Sequence, residues 1–419
     1  MSRTNWAGNY HYAAPRLLLP KTVEEVQEMV AQSTKVKALG TRHSFNGIAD
    51  CEEKQISLAD LEPTFEIDHK LNRVTVDGAA RYSSICEGLH LDNYALHNLA
   101  SLPHISVAGA VATATHGSGV GNGNLATSVR AFELVRANGE VIHISRDANP
   151  GTFACAAVHL GALGLVTKVT LDLVPTFDVR QTVFRNLSFA RLDRDFDEIV
   201  SSAYSVSLFT DWRGDHVGQV WLKERTDEAN HYLEPEFFGA ISATEPMHPI
   251  AELSAENCTE QMGVAGPWHE RLPHFRHDFT PSAGDEMQSE YFIPRKFARE
   301  AIAAIRQIGD RVSPHLMISE IRTIDADSLW MSPCFEEPSI AIHFTWVMDW
   351  PSVQALLPVI EAALEPFDVR PHWGKLFTMS RETLRSKYRK LSDFEALATE
   401  LDPTGKFRNL FLQNSLFSD

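Results

Sequence analysis

At 419 residues the chain is longer than one hydrophobic core usually supports, so two domains are expected. Acidic side chains outnumber basic ones 55 to 38, giving a formal net charge of −17, and no basic run interrupts that balance, which argues against a nucleic-acid partner. No apolar run approaches the ~20 residues of a membrane span and the first residues lack a signal peptide's apolar core, so a soluble, cytoplasmic protein without a membrane partner is expected.

The first element in chain order is an amphipathic helix over 20–30, with Thr22 at its cap and Glu25 three residues on. It leads into a short apolar run that breaks at Gly40-Thr41-Arg42-His43-Ser44. Gly40 permits a tight backbone, Thr41 and Ser44 offer hydroxyls, and consecutive amides can form an anion-binding nest for a phosphate-bearing cofactor. His43 stands where a bound ring could meet it, although the segment alone reads equally as a turn with a surface histidine. A strand over 73–78 and a helix over 82–91 come next.

The stretch 101–121 is long, small and nearly uncharged. It contains neither GxGxxG opening a helix nor GxxxxGK[ST], so the two commonest nucleotide fingerprints are absent. A Gly/Ala/Thr/Ser surface of this extent lets a flat, elongated ligand lie against backbone, and the interleaved Ile105, Val107 and Val111 argue for order rather than a linker. Strands at 129–135 and 140–144 flank Asn138-Gly139, a strong hairpin signal. Another strand, 165–174, follows the turn Gly161-Ala162-Leu163-Gly164. Strands and helices mix here without a repeating rhythm, which reads as α+β.

After about Pro175 strands gather at 205–213, 218–223, 287–293, 315–323 and 339–346, with helices at 295–308 and 352–364. This pattern suggests a mainly antiparallel sheet flanked by helices on one face. The polar, proline-punctuated segment 226–249 reads as a loop excursion. Five dispersed cysteines without a CxxC pair fit reduced thiols, and no histidines stand at metal-ligand spacing, so no metal is expected.

Periodicity marks one polar face in this half. Glu320 and Arg322 are two apart on one strand and His343 and Thr345 on another, so each pair projects from a single face, while Ile342, Phe344 and Trp346 line the opposite one. Gln288 and Glu290 repeat the spacing, with Gln288 an additional hydroxyl contact. Such a cluster can hydrogen-bond the successive hydroxyls of a sugar alcohol; the alternative is an exposed sheet face with an ion pair worth ~0–1 kcal/mol. In Pro371-His372-Trp373-Gly374-Lys375, Gly374 allows close backbone approach and Lys375 can stabilise developing negative charge.

Together, Gly40-Thr41-Arg42-His43-Ser44 and the run from Ser106 to Gly119 resemble the vanillyl-alcohol-oxidase type of FAD-linked oxidoreductase, and within it the alditol oxidases, including xylitol oxidase. The similarity extends through Asn5-Trp6-Ala7-Gly8-Asn9, Gly161-Ala162-Leu163-Gly164, the His-Trp-Gly-Lys segment and Asp402-Pro403-Thr404-Gly405-Lys406-Phe407, almost the whole chain. It implies a two-domain PCMH-type fold, with an FAD-binding domain at 1–175 completed by 371–419 and a substrate-binding cap at 176–370. His43 would then carry a covalent bond to FAD. Ala38, Leu39, Gly40, Thr41, Arg42, Ser44, Ser101, Ser106, Gly109, Thr113, Ala114, Thr115, His116, Val166 and His372 would contact the cofactor. Ser101, Gln288, Glu320, Arg322, Thr345 and Lys375 would hold the polyol, with Lys375, Arg322, Glu320 and His343 catalytic. Arg42 departs from the glycine that many relatives carry beside the linked histidine.

The implied reaction is oxidation of the terminal primary alcohol of xylitol or sorbitol to the aldose, by a monomeric enzyme with dioxygen as acceptor and hydrogen peroxide as product. The base stays open among Lys375, His343 and solvent. The alternatives are an aldonolactone oxidase or dehydrogenase and a non-catalytic FAD- or sugar-binding protein.

Overall fold

The helix Val23–Ala31 starts where its cap places it: Thr22 Oγ1 accepts from the Glu25 amide at 3.2 Å, and a Glu25 carboxylate oxygen accepts from the Lys21 amide at 2.7 Å. Its apolar stripe, Val26 and Val30, packs with Val36, Ile56, Leu165 and Phe407. The protein is described by a computed structural model covering residues 3–228, 235–278 and 286–417.

The strand Val36–Ala38, which feeds the His43 turn, pairs in parallel with Lys54–Ile56, itself paired with Arg16–Leu18. A separate five-stranded antiparallel sheet runs Phe65–Asp68, Arg73–Asp77, Leu165–Asp172, Val129–Val135, Val141–Ser145. The expected hairpin closes with Val135 opposite Val141, and Gly139 supplies the φ of 85° that its turn needs. The small-residue stretch is ordered: Val107–Ala112 is a helix with Val107, Ala110 and Val111 in the core.

The second half builds a ten-stranded sheet, counted among the described residues, in which every pairing is antiparallel. Its centre runs Ser205–Thr210, Leu316–Ile324, Ser339–Val347, Glu286–Pro294. The helices Ala298–Gln307 and Trp350–Leu364 cover one face, where Ile302, Ile305, Val353 and Leu357 pack with Ile342, Phe344 and Trp346. The period-two alternation therefore leaves His343 and Thr345 on the other side.

Two expectations need correction. The 11-residue strand Asp178–Ser188 was not expected from the sequence; both its faces are packed, Val183 with Trp221 on one and Phe184 with Phe237 on the other, so its middle lacks the polar alternation of a half-exposed strand. Segment 226–249 is not loop throughout: Glu236–Phe237 pairs with Ala240–Ser242, which pairs with Asp178–Ser188, while 229–234 lie outside the described residues. After Lys375 the chain returns to the first half, where Leu384, Leu391, Phe394 and Leu412 join the cluster of Val76, Leu89, Phe132 and Val169. Among the described residues no helix is long and apolar enough to cross a membrane.

Candidate active site

A cavity of about 1110 Å³ runs from the His43 turn to the polar face of the large sheet. Its volume exceeds the ~300–1,000 Å³ range for a single small ligand, leaving room for an elongated cofactor and a substrate together. One end is walled by Ala38, Leu39, Gly40, Thr41, Arg42, His43, Ser44, Ser101, Ser106, Gly109, Thr113, Thr115, His116, Val166 and His372. Ala114, expected in that wall, is fully buried behind it at φ 54°.

Close backbone approach explains the glycines. A Cβ on Gly40 would lie 2.7 Å from Ser106 Oγ, and one on Gly109 would lie 2.8 Å from the same atom. The Ser106 amide donates to Thr41 Oγ1 at 3.1 Å, joining the turn to the small-residue helix. Arg42 adopts φ 64°, a left-handed conformation that glycine meets without penalty and arginine only at a cost of roughly 1–2 kcal/mol. This conformation is the physical reason a glycine suits that position.

His43 stacks on Trp6, with centroids 5.3 Å apart and planes 20° apart. Burial, with positive neighbours such as Arg81 and Arg42, pulls its pKa down to about 4, so the ring is neutral near pH 7. Its Nδ1 is buried without a hydrogen-bond partner. A neutral imidazole with an uncommitted nitrogen, beside a cavity wall of glycines and small hydroxyl residues, fits an elongated dinucleotide such as FAD and can bond to it.

The His-Trp-Gly-Lys segment is fastened to this turn. The Phe45 amide donates to Gly374 O at 2.8 Å, and Asn46 Nδ2 donates to Trp373 O at 2.9 Å and Lys375 O at 2.7 Å. Lys375 is thereby brought to the sheet's polar face. There Glu290, only 1% exposed, accepts from Arg322 Nη2 on one carboxylate oxygen and from Lys375 Nζ on the other, each at 2.8 Å. His116 Nε2 stands 3.3 Å from Glu290, and Arg322 Nη1 donates to Ser101 Oγ at 3.2 Å. Burial opposes the charge on Glu290, but Lys375, His116 and Arg322 outweigh it and hold the carboxyl well below the usual range.

Glu320 closes the other side. His274 Nε2 donates to Glu320 Oε1 at 2.8 Å, and Arg322 Nε lies 3.5 Å from Glu320 Oε2. Burial lowers the His274 pKa to about 4, so the ring is neutral with its proton on Nε2. His274 is held in place by Lys223, whose buried Nζ donates to the carbonyls of Arg271, Leu272 and Pro273 at 2.7, 2.7 and 2.8 Å. His343, on the strand between, has Glu290 directly opposite on one neighbour and Glu320 on the other. Burial, reinforced by Lys375 and Arg322, holds its pKa well below the usual value, and its Nε2 is buried without a partner. Gln288 and Thr345 face each other one step along.

All the residues expected to hold substrate or perform catalysis thus line one cavity: Ser101, Gln288, Glu320, Arg322, His343, Thr345 and Lys375. Two central residues have no role assigned from sequence. Glu290 is placed on the polar face by the alternation it shares with Gln288, but its function as the buried anion between two cations is not assigned. His274 lies on an irregular segment, and no periodicity points to it.

Residues 14–145 match a family model described as an FAD binding domain, and residues 284–415 match one described as D-arabinono-1,4-lactone oxidase. The chain is 49% identical to an alditol oxidase of Streptomyces sp. (strain IKD472 / FERM P-14339), an alignment covering 99% of this chain and 98% of that relative. It is 27% identical to L-gulonolactone oxidase of Mus musculus and 27% identical to L-gulono-1,4-lactone dehydrogenase of Mycobacterium tuberculosis, with the same coverage of each. A solvent-stable cholesterol oxidase structure superposes with a TM-score of 0.79 at 15% identity, covering 99% of this chain and 97% of the other. The likeness to that structure is one of fold.

Proposed function

Because the chain belongs to the alditol oxidases among the vanillyl-alcohol-oxidase type FAD-linked oxidoreductases, we propose that it oxidises the terminal primary alcohol of a sugar alcohol, xylitol or sorbitol, to the aldose. Dioxygen is the final acceptor and hydrogen peroxide the second product. The observation that carries this reading is the charge balance of the polar face. Glu290 and Glu320 offset Arg322 and Lys375, and the histidines between them are neutral. A donor- and acceptor-rich reacting end whose paired charges balance suits a neutral polyol better than an organic acid.

His43, by a covalent bond, and the wall formed by Gly40, Thr41, Ser106 and Gly109 would hold the cofactor. When bound, FAD supplies the hydride acceptor and the later reaction with dioxygen. Arg322 and Lys375 stabilise negative charge developing on the substrate oxygen, and Glu290 holds both in place. Glu320, fixed by His274, accepts a substrate hydroxyl, while Ser101, Gln288 and Thr345 orient the rest of the chain. His343 is the assigned proton acceptor: its Nε2 is uncommitted, whereas Lys375 Nζ is engaged by Glu290.

Return of the last residues to the first core supports the division into an FAD domain, 1–175 with 371–419, and a substrate domain, 176–370. Five buried, unpaired cysteines fit a reducing cytoplasm. The test is peroxide formation by the purified yellow protein with xylitol and sorbitol, against gulono- and galactono-lactone. Turnover of lactones alone would replace this reading with an aldonolactone oxidase, which the match at 284–415 also accommodates. If xylitol fails to bleach the flavin absorbance anaerobically, the polar face only binds.

A further inference from the structure

The polar face continues beyond the residues just assigned. On the strand Glu286–Pro294, the side chains of Glu290, Gln288 and Glu286 all line the cavity. Register places Glu290 opposite His343, Gln288 opposite Thr345 and Glu286 opposite Val347. Two residues along an antiparallel strand advance about 6.8 Å, so Gln288 with Thr345 stands one such step from the reacting end and Glu286 two. With carbon–carbon bonds of about 1.5 Å, an extended six-carbon chain is roughly 6 Å long. Its far hydroxyls therefore arrive at the Gln288 row, which a three-carbon polyol does not reach.

Glu286 reaches back to that row. Gln288 Nε2 donates to Glu286 Oε1 at 2.5 Å, which turns the Gln288 amide oxygen away from the carboxylate as a second acceptor. Glu286 opposes Val347 across the strands, so sheet pairing does not account for its carboxyl. Burial pushes that carboxyl above the usual range, the mark of a group set into the cavity wall rather than the solvated surface. Adjacent acceptors suit the two O–H donors of a vicinal diol.

We propose that Glu286, acting with Gln288, is a specificity-determining residue that binds the far hydroxyls of a polyol and selects five- and six-carbon sugar alcohols over shorter ones. This rests on the alditol oxidase reading above. The test measures kcat and KM of the holoenzyme for glycerol, erythritol, xylitol and sorbitol in the natural protein, Glu286→Gln and Glu286→Ala. In Glu286→Ala the ratio of kcat/KM for sorbitol to that for glycerol falls about tenfold, mainly through KM; Glu286→Gln, which keeps an acceptor oxygen, lies between. The ratio is internal to each variant, so partial loss of folded protein cancels. A ratio that does not move, or an equal loss at every chain length, overturns the assignment. A natural protein that oxidises no alditol overturns the underlying function instead, and does so before any variant is made.

Discussion

Glu290 accepts from Arg322 on one oxygen and Lys375 on the other, so it holds together two cations from distant parts of the chain. Glu290→Gln leaves those cations without their counter-charge, and breaking a buried pair in this way typically costs ~3–5 kcal/mol. Turnover is expected to fall more than about 100-fold and the urea midpoint to drop, while flavin absorbance per protein is largely retained. Turnover near that of the natural protein would remove Glu290 from the site. At His43 the expected outcome is chemical rather than energetic. After acid precipitation the yellow colour stays with the natural protein, whereas His43→Ala releases its flavin to the supernatant. Flavin freed from both would exclude the covalent bond. Sequence alternation made Glu290 visible but not its partners, because the lysine it binds lies 85 positions away.

Among the elements, those determined by neighbours in sequence were legible: the Thr22-capped helix, the Asn138-Gly139 hairpin and the paired polar positions of three strands. Asp178–Ser188 was not, since burial on both sides erases the alternation that identifies a strand. Close packing between elements makes a sharper prediction. A Cβ on Gly78 would lie 2.2 Å from the carbonyl oxygen of Val166, backbone against backbone, where no side chain can yield. Gly78→Ala should therefore lower the melting temperature by several degrees, with ~2 kcal/mol or more lost. Gly151→Ala, in the helix Pro150–Ala156 where a Cβ meets nothing within 4 Å, serves as the control and should leave stability unchanged or raise it by up to ~1 kcal/mol. Equal effects would mean the two strands separate more easily than their contact suggests.

At the scale of the molecule, buried neutral histidines couple folding to pH. Burial lowers His159 from 6.5 to about 3 and His274 from 6.5 to about 4. Between those values and 6.5 the unfolded chain binds protons that the folded chain refuses, so stability falls as pH drops through that window. The depressed carboxyl of Glu290 acts in the same direction below its unfolded pKa. Melting temperatures of the protein from pH 7 to pH 4 should decline throughout, and a flat profile would contradict the buried, neutral state assigned to these rings.

Local rules were enough to read the helix cap, the hairpin, the cofactor turn and the polar pairs from the amino-acid order, because each depends on residues a few positions apart. The resemblance carried by the two glycine-rich segments and the His-Trp-Gly-Lys segment indicated the family for the same reason. Tertiary structure decided which charges and polar groups meet: Glu290 with the cations Arg322 and Lys375, the neutral His274 donating to Glu320, and Lys223 donating to the three carbonyls beneath it. It also made the Arg42 conformation understandable as a left-handed turn held against Trp6, whose amide donates to Arg42 O at 2.8 Å. Those relations join segments far apart in the chain, and burial, which sets their strength and protonation, exists only once the chain has folded.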